Sequence, residues 1–200
     1  MTQPWQPLLD WWFGPGKTAA EVSASQLPLW FGKRDSQDAE ARERFGHLVE
    51  QALAGQLHEW DNTPSGWLAH IILLDQLPRM IYRDTPRAFA GDPLSQPLLR
   101  KGLESGWDQQ LKPIQRLFAY LVYEHAENLV LQDQVVELFE KLLAQVQPDE
   151  HELFAGYLDF AERHQRIVAR FGRFPHRNQI LGRASSAEEI AFLQEPGSSF

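Results

Sequence analysis

The sequence predicts an all-α fold, and three observations carry the prediction. Apolar residues recur at helical spacing almost throughout, and no run of four or more residues alternates as a half-buried strand would. Proline, glycine and capping residues also cut the chain into helix-sized pieces. A chain of 200 residues, 43% hydrophobic and 23% charged, suits one domain, 1–200, around a single core. Short loops between successive antiparallel helices suggest a bundle or a superhelix of helical hairpins, although no clean repeat of about 34 residues is present.

In chain order, a first helix covers Trp5 to Phe13 and is closed by Gly14 and Pro15. A loop follows, carrying an aromatic knot at Leu29, Trp30 and Phe31. Asp35 caps the next helix, which runs to about Ala54 and stops at Gly55. Thr63 caps a helix that has Pro64 at its first position, where the missing amide hydrogen costs nothing, and Pro78 ends it. Asp92 with Pro93 repeats that start signal, and Gly106 closes the segment. Further helices are expected at about 112–126, 128–146 and 150–171, the last ending at Gly172. Ser186 and Glu189 form a capping box for a closing helix that reaches about Gln194.

Composition excludes several classes. Without cysteine there are no disulfides, no thiolate catalysis and no sulfur-based zinc site, and nothing calls for an oxidising compartment. No apolar run approaches the roughly 18 residues of a membrane span, and the start MTQPWQPLLDWW lacks the basic region of a secretory leader. The expectation is a soluble cytoplasmic protein without a membrane partner. A formal net charge of −8 argues against nucleic acid as a partner. GPGKT at 14–18 invites a phosphate-loop reading, but position 11 is Trp where that motif needs glycine and no strand precedes it. No cofactor is called for. No metal is expected either, since neither HExxH nor a pair of ExxH steps occurs.

At about 100° per residue, each helix sorts its polar side chains by face. Asp75 lies on the same side as Trp67, Leu68 and Ile71; His125 continues the stripe of Ile114, Leu117, Phe118, Leu121 and Val122, with Glu124 on its edge. His164 falls inside the stripe of Phe154, Tyr157, Leu158, Ala161 and Val168, whereas Arg163, Arg166 and Arg170 share the opposite, solvated face. A buried carboxylate needs a partner, because an isolated buried charge costs several kcal/mol or more. Asp75, His125 and His164 are therefore separate core groups satisfied locally, or members of one cluster in which the carboxylate orients a histidine for proton transfer or metal binding, or groups in purely structural mutual contact. Arginine outnumbers lysine fourteen to five, and residues 170–183, RFGRFPHRNQILGR, hold four of those arginines around one turn. Guanidinium suits bidentate, partly buried pairing with carboxylate or phosphate, and structural ion pairing is the default reading for each.

Three stretches carry a resemblance: LLDQLPRMIYRDTPRAFAGDPL, YEHAEN and RFGRFPHRNQILGRASSAEEIAFL. In this order, with the WFG near the start, they resemble the bacterial tetratricopeptide-like helical proteins catalogued as domain of unknown function 924, over nearly the whole chain. The resemblance implies an all-α superhelical fold and no particular activity. It puts the family's characteristic polar positions on Asp75, Gln76, Arg79, Arg83, His125, Glu127, His164, Arg173, His176, Arg177, Asn178 and Arg183. Two positions depart from the pattern: Met80 stands where asparagine is usual, and Ala126 where serine is usual.

Three functional readings follow. In the first, Arg79, Arg83, Arg173, Arg177 and Arg183 line an aromatic-walled pocket for a small anionic molecule or acidic peptide, with His176 and Asn178 fixing orientation, and Gln76 and Glu127 beside them. In the second, the protein is a hydrolase or lyase in which His125 or His164 is the base, Asp75 its partner and the arginines stabilise developing charge. That reading requires Asp75 within hydrogen-bond reach of a histidine. In the third, the helical surface recruits another protein.

Overall fold

The computed structural model describes residues 3–199; Met1, Thr2 and Phe200 of the predicted domain lie outside it. Nine α-helices occur among the described residues, with no strand: α1 Gln6–Phe13, α2 Ala19–Phe31, α3 Asp35–Leu53, α4 Pro64–Ile81, α5 Asp92–Glu104, α6 Pro113–Glu124, α7 Leu129–Leu143, α8 His151–Phe171 and α9 Ala187–Phe192. Consecutive helices pack on each other from α3 to α8, and α4 also touches α6. α4 is the centre. Every residue from Gly66 to Ile81 except Arg79 is buried, as expected of a helix that is apolar on nearly all sides.

Two elements differ from the sequence expectation for identifiable reasons. The segment read as a loop before Asp35 is the helix α2. Thr18 and Glu21 form a full capping box at its start: the Thr18 hydroxyl accepts the Glu21 amide, and the Glu21 carboxylate accepts the Thr18 amide. Pro28 lies inside its last turns, where packing of Ala19, Val22 and Trp30 on the core outweighs the lost hydrogen bond. Pro78 likewise does not end α4, which continues to Ile81. The carbonyl of Leu74, deprived of the Pro78 amide, is covered by the backbone of Gly91, where a β-carbon would lie 1.9 Å from that oxygen. Asp35 and Asp92 are first-turn residues, not caps; the cap positions are Arg34 and Gly91, which make no side-chain capping bond.

One hydrophobic cluster runs from Trp5 to Ala161, and a small satellite of Ile167, Val168 and Phe174 serves the C-terminal turn. Trp12 and Trp30 close on Phe118 with ring centroids 5.3 and 4.6 Å apart, which ties α1 and α2 to α6 through edge-to-face contacts. Trp67 donates its indole N–H to the Leu98 carbonyl and lies against Gly102 of α5, where an added β-carbon would stand 2.2 Å from the indole. Gly102→Ala is therefore expected to cost about 1–3 kcal/mol in a urea titration through overpacking. Gly156→Ala, in open space on α8, should instead stabilise by about 0.5–1 kcal/mol.

Candidate functional site: a buried carboxylate, imidazole and guanidinium cluster

α4 presents Asp75 and Arg79 one turn apart, so both reach the same side. Asp75 is 1% exposed. Its two oxygens accept Nδ1–H of His125, the residue capping the end of α6, at 2.9 Å each. Gln76 Nε2 donates to Oδ2 at 2.5 Å, and Arg79 Nη1 lies 3.4 Å from Oδ1. Burial would raise the Asp75 pKa, but the charge of Arg79 and the hydrogen bonds from His125 and Gln76 outweigh it and hold the carboxyl far below its usual range. Burial, the larger effect on His125, lowers its pKa despite the Asp75 charge. His125 is therefore neutral at pH 7, with its proton on Nδ1 and a lone pair on Nε2.

The end of α6 is fixed from below by Gln132 of α7. Its amide nitrogen donates to the carbonyls of Tyr123, Glu124 and Ala126 at 3.2, 2.7 and 2.8 Å, while Asn128 caps α7 itself. Those bonds set the position of His125. Beside it, His164 of α8 donates Nδ1–H to the Phe160 carbonyl at 2.8 Å and has Glu124 Oε1 at 3.3 Å. The His125 and His164 rings are 6.5 Å apart, edge to face. Burial and the nearby Asp75 charge push the Glu124 carboxyl up to about 8, and burial pulls His164 down to about 3, so this pair is neutral on both sides at pH 7.

The remaining arginines divide sharply. Arg79 makes a bidentate pair with Asp92 at 3.0 and 3.3 Å and donates to the Asp75 carbonyl. Arg83 is bidentate to Asp38 at 2.7 Å. Arg173 is bidentate to Glu189, and Arg183 is bidentate to Glu127 while also donating to Asn178 Oδ1. Asn178 donates in turn to Ser185, and Glu127 accepts the Phe174 amide. Arg83, Arg173, Arg183, Glu127 and Asn178 thus bolt helices and turns together and do not line a common pocket. Arg177 is different. It is 6% exposed, lies against the faces of Phe89 and Phe174 at 4.7 and 4.6 Å, and reaches Asp92 only at 3.6 Å. Burial, with Arg79 adding its repulsion, lowers the Arg177 pKa to about 10. His176 stacks on Phe174 at 5.7 Å, and burial brings it down to about 4.

The structure therefore brings Asp75, Gln76, Arg79, His125, His164, His176 and Arg177 into one neighbourhood. Asp92, Glu124, Gln132 and Phe89 join them without having been singled out as site residues. Asp92 was hidden because an Asp-Pro pair reads as a helix start, and Glu124 because it lies on the edge of an apolar stripe. Met80 and Ala126, the two departures, are both buried; Met80 belongs to the main hydrophobic cluster, and the Ala126 carbonyl accepts the Gln132 amide. Two surface recesses, of about 310 and 250 Å³, lie elsewhere: the first is walled by Arg163, Arg166, Arg170, Phe171 and Phe192, the second by Gly16 to Val22 with Lys112 and Glu150. No helix is long and apolar enough to cross a bilayer, and no group of three or more metal-ligating side chains occurs among the described residues.

These features define an all-helical protein whose central helix carries a buried carboxylate–imidazole pair flanked by guanidinium groups. The chain belongs to the family described as bacterial protein of unknown function (DUF924), whose pattern matches residues 8–197. It is similar to the solved structure of a protein of unknown function, ATU0120, from Agrobacterium tumefaciens, with 32% identity and a TM-score of 0.73, over 88% of this chain and 99% of that one. No curated protein matches it.

Proposed function

We propose that this protein is an acid–base site for a small anionic molecule, with His125 as the proton-transfer group, Asp75 as its orienting partner and Arg79 and Arg177 as the cations nearest the ligand. The observation that carries this reading is the contact of His125 Nδ1–H with both oxygens of a buried, ionised carboxylate. A carboxylate so placed fixes the tautomer, leaves the Nε2 lone pair as the base and stabilises the imidazolium when a proton arrives. The His125 side chain is 18% exposed, whereas Asp75 is sealed, which is the order a relay from a ligand inward requires. Among the described contacts of His125 there is no serine, threonine or lysine that could serve as a nucleophile. The chemistry is therefore proton removal from a bound molecule or activation of water, as in a lyase or a hydrolase.

The test is chemical and needs no substrate. Diethyl pyrocarbonate carbethoxylates only accessible, neutral imidazole nitrogens. His125 should react at Nε2 alongside the exposed His47, His58 and His151, and its rate should hold as pH falls to 6.5, because burial lowers its pKa. Mass spectrometry of the peptides reads all four. If His125 stays unmodified while the other three react, its lone pair is not available to a ligand and the acid–base reading fails.

A further inference from the structure

Two buried arginines in this protein set a useful contrast. Arg116, 9% exposed, has an acceptor for each of its three nitrogens: Nε donates to the Leu111 carbonyl at 3.3 Å, Nη1 to Gln145 at 2.6 Å and Nη2 to the Gln109 carbonyl at 3.1 Å. Arg177 is as deeply buried and makes no such bonds. Its Nε is completely buried without an acceptor, and its nearest carboxylate oxygen, on Asp92, stands 3.6 Å from Nη1, beyond normal hydrogen-bond length. Asp92 is already committed to Arg79 through both oxygens. An unmet guanidinium N–H away from water costs free energy that a purely structural arginine avoids, as Arg116 does.

From this unmet donor edge, held between aromatic faces beside His125, we infer that Arg177 is the recognition group for a carboxylate on the ligand. The inference rests on the acid–base reading for its ligand but not for its test. The Phe89 and Phe174 rings stand 4.7 and 4.6 Å from the guanidinium carbon, and Nε–H, sealed from water in this structure, is the donor that an entering group would satisfy. A carboxylate is flat, and its two oxygens meet such an edge in plane, in the fork geometry that guanidinium favours. A phosphate or sulfate has oxygens above and below that plane, which would press on ring faces that are themselves electron-rich. The side chains of Arg79 and Asp92, 19% and 17% exposed, form the rim through which the carboxylate would enter. The rest of the molecule would then lie toward His125 Nε2.

The experiment uses acetate and inorganic phosphate as probes on the full chain, against chloride at equal ionic strength. Acetate should raise the melting temperature of the wild type saturably, by a few degrees at about 100 times its dissociation constant, and phosphate should not. Arg177→Lys keeps the charge but loses the flat edge, and should abolish the acetate shift. In the wild type, the Arg177 Nε–H resonance should move with the same saturation curve, a readout that stands even if the variant folds poorly. His125→Gln should retain the acetate shift, which separates this inference from the proton-transfer reading. An acetate effect that persists in Arg177→Lys, an unmoved Nε–H signal, or equal response to phosphate each overturns the inference.

Discussion

Replacing Glu124 with glutamine is expected to make the protein more stable at pH 9, by on the order of 3–5 kcal/mol, and to leave it nearly unchanged at pH 4. The sign follows from its folded-state pKa of about 8, raised above the ordinary 4.5 by burial and by the Asp75 charge. Folding holds a proton on Glu124 that the unfolded chain releases, so its contribution is full below pH 4.5 and is lost as pH rises through 8. The amide fills the same space beside His164 and has no proton to lose. His164 and His176 act in the opposite sense. Their folded pKa values, about 3 and about 4, lie below the ordinary 6.5, so their contribution is present above pH 6.5 and drains away as pH falls toward 4 and 3. Of these groups, Glu124 alone tilts the curve above pH 6.5 and the histidines dominate below it, which places the stability maximum near pH 6.5. Urea titrations at pH 4, 6.5 and 9 on wild type and Glu124→Gln check all of this.

Asp75→Asn should be among the most destabilising single substitutions, costing on the order of 3 kcal/mol at pH 7. The amide supplies one neutral acceptor where the carboxylate serves His125, Gln76 and Arg79 together. Arg79 would keep Asp92, which limits the loss, but the imidazole would lose the charge that orients it. A double-mutant cycle with His125→Gln should give a coupling of roughly 0.5–3 kcal/mol, as for any pair in direct contact inside one network. Additive effects would mean that the two side chains share a neighbourhood without sharing energy.

The helices were readable in the sequence wherever local chemistry and burial agree, as at Thr63–Pro64, Ser186–Glu189 and Gly172. They were not at two of the prolines inside helices: at Pro28 and Pro78 the local rule says stop, and the tertiary contacts of Trp30 and Gly91 say continue. For the site, periodicity placed Asp75, His125 and His164 on core-facing stripes, because facing is a one-helix property. Which of them meet is a three-helix property, set by how α4, α6 and α8 cross. The arginines show the same limit more plainly. Arg83, Arg173, Arg177 and Arg183 look alike along the chain, and only their partners separate three saturated bolts from one unmet donor. Those partners, Asp38, Glu189 and Glu127, lie 16 to 56 residues away.

The site draws on segments near residues 75, 92, 125, 164 and 177, and this order has a consequence on the ribosome. Asp75, Arg79 and Asp92 emerge early, when neither His125 nor Arg177 yet exists, so these charges wait in water while the apolar helices around them begin to collapse. Domains tend to fold from the end synthesised first, yet here His125 arrives only after 124 of the 200 residues, and His164, His176 and Arg177 only within the last 40. The carboxylate–imidazole pair is completed late, and the Arg177 edge is laid over it only when the Glu127–Arg183 bolt closes behind it. Nascent chains shorter than 125 residues carry Asp75 on the central helix without the imidazole that pairs with it.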